Sequence, residues 1–82
     1  MINFSYALEI AEKHFKERDI PDILEAYETD DSFIFFGGQK EKIELPGSGI
    51  IIDKTIGEVH DFILNSRNNY GILEQAKEIE FW

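Results

Sequence analysis

His14 and His60 are the side chains of this sequence that titrate near neutrality without help from their surroundings. With a third ligand from Asp53, Glu58 or Asp61 they would form a metal site, and on it a metal-assisted enzyme. No ligand spacing in the chain brings them together. His14 falls on the apolar face of a helical pattern, which suits a hydrogen-bonded core or boundary histidine; His60 stands between Val59 and Asp61. Nucleophilic catalysis needs Ser or Thr beside a base. Ser5, Ser32, Ser48 and Ser66 occupy a helix start, a strand start, a loop and a second helix start, and none lies in a nucleophile elbow. Gly47-Ser48-Gly49 is too short to cradle a phosphate and leads into a strand instead of a helix N-terminus. With no Cys, thiolate metal sites, disulfides and a cysteine nucleophile drop out. The expectation is a protein that is not an enzyme and holds neither metal nor cofactor.

Binding chemistry has more to work with. Eight basic against seventeen acidic side chains give a formal charge of −9. So much negative potential on a small surface disfavours nucleic acid and anionic membranes and favours a basic protein partner, although acidity also serves solubility alone. Acids and an aromatic mix outside the expected core face at Glu25, Tyr27, Glu28, Asp30 and Asp31, joined by Glu41 and Glu44 on the following polar segment. These seven form the candidate partner-binding patch, and each taken singly also reads as a solvated surface acid. Tyr70 with Trp82 is a second candidate.

The elements that must carry these residues follow from periodicity. Ala7, Ile10, Ala11, His14 and Phe15 mark one face of an N-terminal helix, with Asn3 or Ser5 as its cap. The helix stops near Arg18 because Pro21 pushes Ile20 out of helical geometry. Ile23 to Thr29 and Ser32 to Phe36 read as a hairpin turning at Thr29-Asp30-Asp31. Phe33-Ile34-Phe35-Phe36 is apolar on both faces, as is the strand Gly49-Ile50-Ile51-Ile52. Asp53 to Gly57 supplies turn chemistry for a four-residue loop, with Asp53 accepting from backbone N–H groups two residues on and Gly57 at positive φ; Glu58 to Phe62 returns antiparallel. Residues 39–45 are an edge strand, a short helix or an excursion. A last amphipathic helix runs from Arg67 to Glu80 on Ile72, Leu73, Ala76 and Ile79. Phe81-Trp82 folds back on the core or stays out for a partner. One domain over residues 1–82 results: α+β, an antiparallel sheet of four to five strands with an N-terminal and a C-terminal helix packed on one face. The first residues show no basic-then-apolar leader and no apolar run approaches the roughly 20 residues of a membrane span, so the expected location is the cytoplasm.

At Ile51-Ile52-Asp53-Lys54-Thr55-Ile56-Gly57-Glu58-Val59-His60 the chain resembles immunity protein 35, the YrhB-like family of bacterial polymorphic-toxin systems. The resemblance extends over most of the chain through the N-terminal helix and the aromatic strand pair. It departs at Ile56, where a small or polar residue would suit the turn better. The resemblance implies a non-catalytic, cytoplasmic inhibitor that binds and occludes a cognate toxin, here a basic one such as a nuclease, with no catalytic residues to carry over. A stress-related or chaperone-like role is the alternative.

Overall fold

A computed structural model describes residues 1–38, 48–62 and 67–80. The N-terminal helix α1, Phe4–Glu17, begins where expected, with the Asn3 carboxamide oxygen accepting from the Tyr6 N–H at 2.9 Å. Its end owes more to backbone geometry than to Pro21. Asp19 takes φ 58°, its N–H donates to Lys16 O, and the Ile20 N–H reaches back to Phe15 O at 2.9 Å. These paired bonds satisfy carbonyls that a helix end leaves open, and Ile20 packs beside Phe15 as the accompanying apolar contact.

Five strands follow among the described residues: β1 Asp22–Glu28, β2 Ser32–Gly38, β3 Ser48–Asp53, β4 Val59–Asp61 and β5 Lys77–Glu78, with helix α2, Arg67–Gln75, between the last two. They form one antiparallel sheet in the order β4-β3-β2-β1-β5. The isoleucine strand β3 is interior, between β4 and β2, and the aromatic strand β2 is the centre. Alternation along β2 divides the core. Phe33 and Phe35 face α1 and pack with Ala7, Ala11, Phe15, Ala26, Ile50 and Ile52. Ile34 and Phe36 face the other way, toward Tyr27, Ile51 and Phe62. Small Ala7 and Ala11 let α1 lie close on the sheet, and Phe4 stacks on Phe35 with ring centroids 5.8 Å apart.

The expected class, strand number and helices are therefore present, with two differences near the C-terminus. The sequence carries the last helix to Glu80 and puts both helices on one face. In the structure α2 ends at Gln75, Lys77 and Glu78 pair with Glu28 and Tyr27 of β1, and the Ile79 N–H donates to Ala26 O at 2.8 Å. Ile79 then packs on the α1 side, whereas Leu73 of α2 joins the Ile34–Phe36 side. A central strand apolar on both faces requires cover on both, and the open edge of β1 offers hydrogen bonds that a frayed helix end does not. The segment 39–45 and Phe81-Trp82 lie outside the described residues.

The β3–β4 connection matches its expected chemistry closely. Asp53 Oδ1 accepts from the Thr55 N–H at 2.7 Å and the Ile56 N–H at 3.2 Å, the Gly57 N–H donates to Asp53 O at 2.8 Å, and Gly57 sits at φ 71°. Gly57→Ala is expected to cost about 1–2 kcal/mol, the penalty for an L-residue held in the left-handed region. Thermal unfolding checks this, with Gly57→Asn expected to lose less because Asn tolerates that region; an unchanged melting temperature for the Ala variant would show that the loop relaxes to another turn.

Candidate interaction site

The acids singled out from the sequence separate into two groups. Strand alternation sends Glu25 and Tyr27 to the same side of β1 as the Ile34–Phe36 cluster. There the Tyr27 hydroxyl donates to Glu25 Oε2 at 2.7 Å and its ring meets Phe36 edge-on at 5.9 Å. Burial, then the hydrogen bond to Glu25 and the nearby Glu25 and Glu78 charges, push the Tyr27 phenol well above its ordinary range, so it remains a protonated donor. Tyr27, a member of the candidate patch, is a half-buried aromatic with its hydroxyl engaged by Glu25.

Glu28, Asp30 and Asp31 converge at the tip of the β1–β2 hairpin. The turn is closed by the Thr29 N–H to Ser32 O at 2.9 Å, and Asp31 Oδ1 accepts from the Thr29 hydroxyl at 3.0 Å and the Ser32 hydroxyl at 3.2 Å. Asp30 and Asp31 are exposed. Glu28 is not a free acid: its Oε2 receives Lys54 Nζ at 2.6 Å. Glu41 and Glu44, assigned to the same patch, lie outside the described residues, as does Trp82; Tyr70 falls in α2.

Lys54 is the residue that sequence reasoning missed. Only 8% exposed, it extends its ammonium to Glu28 Oε2 and to Thr29 O at 2.7 Å, 4.9 Å above the centre of the Phe33 ring. Its backbone is equally committed: the Lys54 N–H donates to Asp31 O at 2.9 Å and Lys54 O accepts from the Ile2 N–H at 2.7 Å. One residue thus joins the tip of the first hairpin, the loop of the second and the N-terminal segment. Adjacent in sequence, Asp53 shapes the turn and Lys54 braces the sheet end. The Asp-Lys pair was the available signal, but Lys is so rarely buried unless paired that a partner 26 residues away in the chain could not be read from it.

Beside this braced end opens a hollow of about 690 Å³, whose walls include Glu28, Asp30, Asp31, Lys54, Ile72 and Lys77. Its lining mixes the exposed carboxylates of Asp30 and Asp31 with the Glu28–Lys54 ion pair, Lys77 and the apolar Ile51 and Ile72.

The histidines do not meet. His14 packs edge-on to Phe15, and its buried Nε2 has no hydrogen-bond partner, contrary to the expected bonded histidine. His60 is exposed on β4, with Nε2 3.0 Å from Glu58 Oε1. Among the described residues no three His or carboxylate side chains are grouped to share a metal ion. No described helix is long and apolar enough to cross a membrane. Compared with family models, with curated proteins and with solved structures, the chain has no match.

Proposed function

We propose that this protein is a cytoplasmic, non-catalytic immunity protein that binds a basic bacterial toxin, such as a nuclease domain, and blocks it by occupancy. The observation that carries the reading is the pair of exposed carboxylates Asp30 and Asp31 on a hairpin tip whose backbone is pinned by Lys54. A rigid anionic tip loses little conformational freedom on binding, and a net charge of −9 steers it toward a basic partner. The Asp53-Lys54 signature that carries the resemblance to immunity protein 35 contributes a brace for this tip.

The test captures partners of the tagged protein from lysate of the producing strain, then titrates an inactivated form of the recovered basic toxin domain at low and high salt. Tight one-to-one binding is expected. Asp30→Asn with Asp31→Asn should slow association about tenfold at low salt, with the difference shrinking at high salt. Asn keeps an acceptor for the Thr29 and Ser32 hydroxyls, so the turn is spared. Absence of binding, together with weak capture of many unrelated unfolded clients, would overturn the reading in favour of a chaperone-like role. Glu28 is excluded from the binding variants because its loss frees Lys54 and perturbs the fold.

A further inference from the structure

We infer that the β3–β4 loop is a second contact point for the same partner, with Ile56 as an apolar anchor that enters a pocket on the basic protein beside the residues engaged by Asp30 and Asp31. The inference rests on the toxin-binding reading and names the surface that would give the complex its lifetime.

Ile56 has no structural duty that its side chain could explain. The turn is made by the Asp53 carboxylate, the left-handed Gly57 and the backbone bond between them. Only the Ile56 N–H takes part, and any residue but proline supplies one. The side chain is 67% exposed at the crest of a loop, where a large aliphatic group is a cost in water. It is not isolated. Met1 is 94% exposed, and the Ile2 Cγ2 lies 3.8 Å from where a Cβ on Gly57 would stand. The N-terminal segment therefore lies against the same loop.

Its position gives it a partner. The Lys54 N–H to Asp31 O bond and the Ile2 N–H to Lys54 O bond put this loop between the acidic tip and the first residues of the chain. An exposed aliphatic side chain on a loop bonded to an acidic hairpin tip has the composition of a binding interface, an aliphatic centre with a polar rim. The carboxylates select among occupants: phosphates of nucleic acid or anionic lipid are repelled, and a cationic protein surface with an apolar recess fits both features at once. Steering by Asp30 and Asp31 governs encounter, whereas burial of Ile56 governs dissociation.

The experiment measures association and dissociation rates of the inactive toxin domain with the wild type, Ile56→Ser, and the Asp30→Asn/Asp31→Asn double variant. Ile56→Ser should weaken binding about tenfold or more through faster dissociation, leaving the association rate, its salt dependence and the melting temperature near those of the wild type. The acid variant should show the reverse pattern. Dissociation within about twofold of wild type for Ile56→Ser, while the acid variant still associates slowly, overturns the role of Ile56 and leaves the toxin-binding reading standing. Absence of any toxin binding by the wild type overturns both. Self-association of the wild type that disappears in Ile56→Ser, without change in toxin binding, assigns the crest to a second copy of this chain and likewise overturns the inference.

Discussion

Phe35→Ala is expected to remove about 3–5 kcal/mol of stability, the usual range for emptying a buried phenylalanine site. Phe35 is wholly buried in the central strand, stacked on Phe4, and flanked across the sheet by Ala26 on one side and Ile50 on the other. The upper half of the range applies because Ala26 is too small to collapse into the space and α1 above the site presents Ala7 and Ala11. A domain of 82 residues has little in reserve: typical totals are about 5–15 kcal/mol, with small domains at the low end. Urea unfolding should therefore show a variant that is largely unfolded at a temperature where the wild type is folded. Phe35→Leu, which leaves a smaller void, should retain most of the stability. A loss under about 1 kcal/mol for the alanine variant would mean that the core is not centred on β2.

Lys54→Met is the second large effect, expected at about 2 kcal/mol or, for a domain of this size, a fall of roughly 10 °C in melting temperature. Methionine keeps an unbranched stem beside Phe33, so the loss isolates the ammonium and its bonds to Glu28 and Thr29. Breaking a fully buried ion pair costs about 3–5 kcal/mol, but the Glu28 side chain is 43% exposed and recovers water when its partner goes. Glu28→Gln should cost less than Lys54→Met, since the Thr29 carbonyl keeps its donor, and the double variant should be less destabilised than the sum. Apolar replacements of buried pairs are sometimes stabilising. A Lys54→Met protein at least as stable as the wild type, with the Asp31–Lys54 backbone bond lost by amide exchange, would show that the lysine serves alignment of the two hairpins instead of stability.

The readability of this chain tracks how local each cause is. The helix cap, the α1 stripe and the Asp53–Gly57 turn depend on residues within one helical turn or loop of each other, and apart from the unbonded His14 they form as expected, with Asn3 as the cap. Phe33 to Phe36 read as apolar on both faces, yet both helices are expected on one face, so the cover from the α2 side is not foreseen. What failed to show was decided across the sheet. Ile72, Leu73, Ala76 and Ile79 have helical spacing, yet Ile79 is drawn to the α1 side by pairing with β1, which local propensity does not weigh. Lys54 read as a turn residue because its partners come from the other hairpin. In the candidate patch, Asp30 and Asp31 are exposed as expected, Glu28 is engaged by Lys54, and Glu25 is occupied by Tyr27.

The two edge strands bear on how such a protein can be kept in stock. Long apolar strands with open rims invite pairing between molecules, the first step toward insoluble aggregates. Among the described residues the most apolar strands, β2 and β3, are enclosed, and the rims are β4, three residues long with His60 and Asp61, and β5, the two charged residues Lys77 and Glu78. Short, charged rims are poor templates for strand addition. A chain with such rims should stay dispersed at high concentration, because the described part of its sheet presents little that another copy could extend.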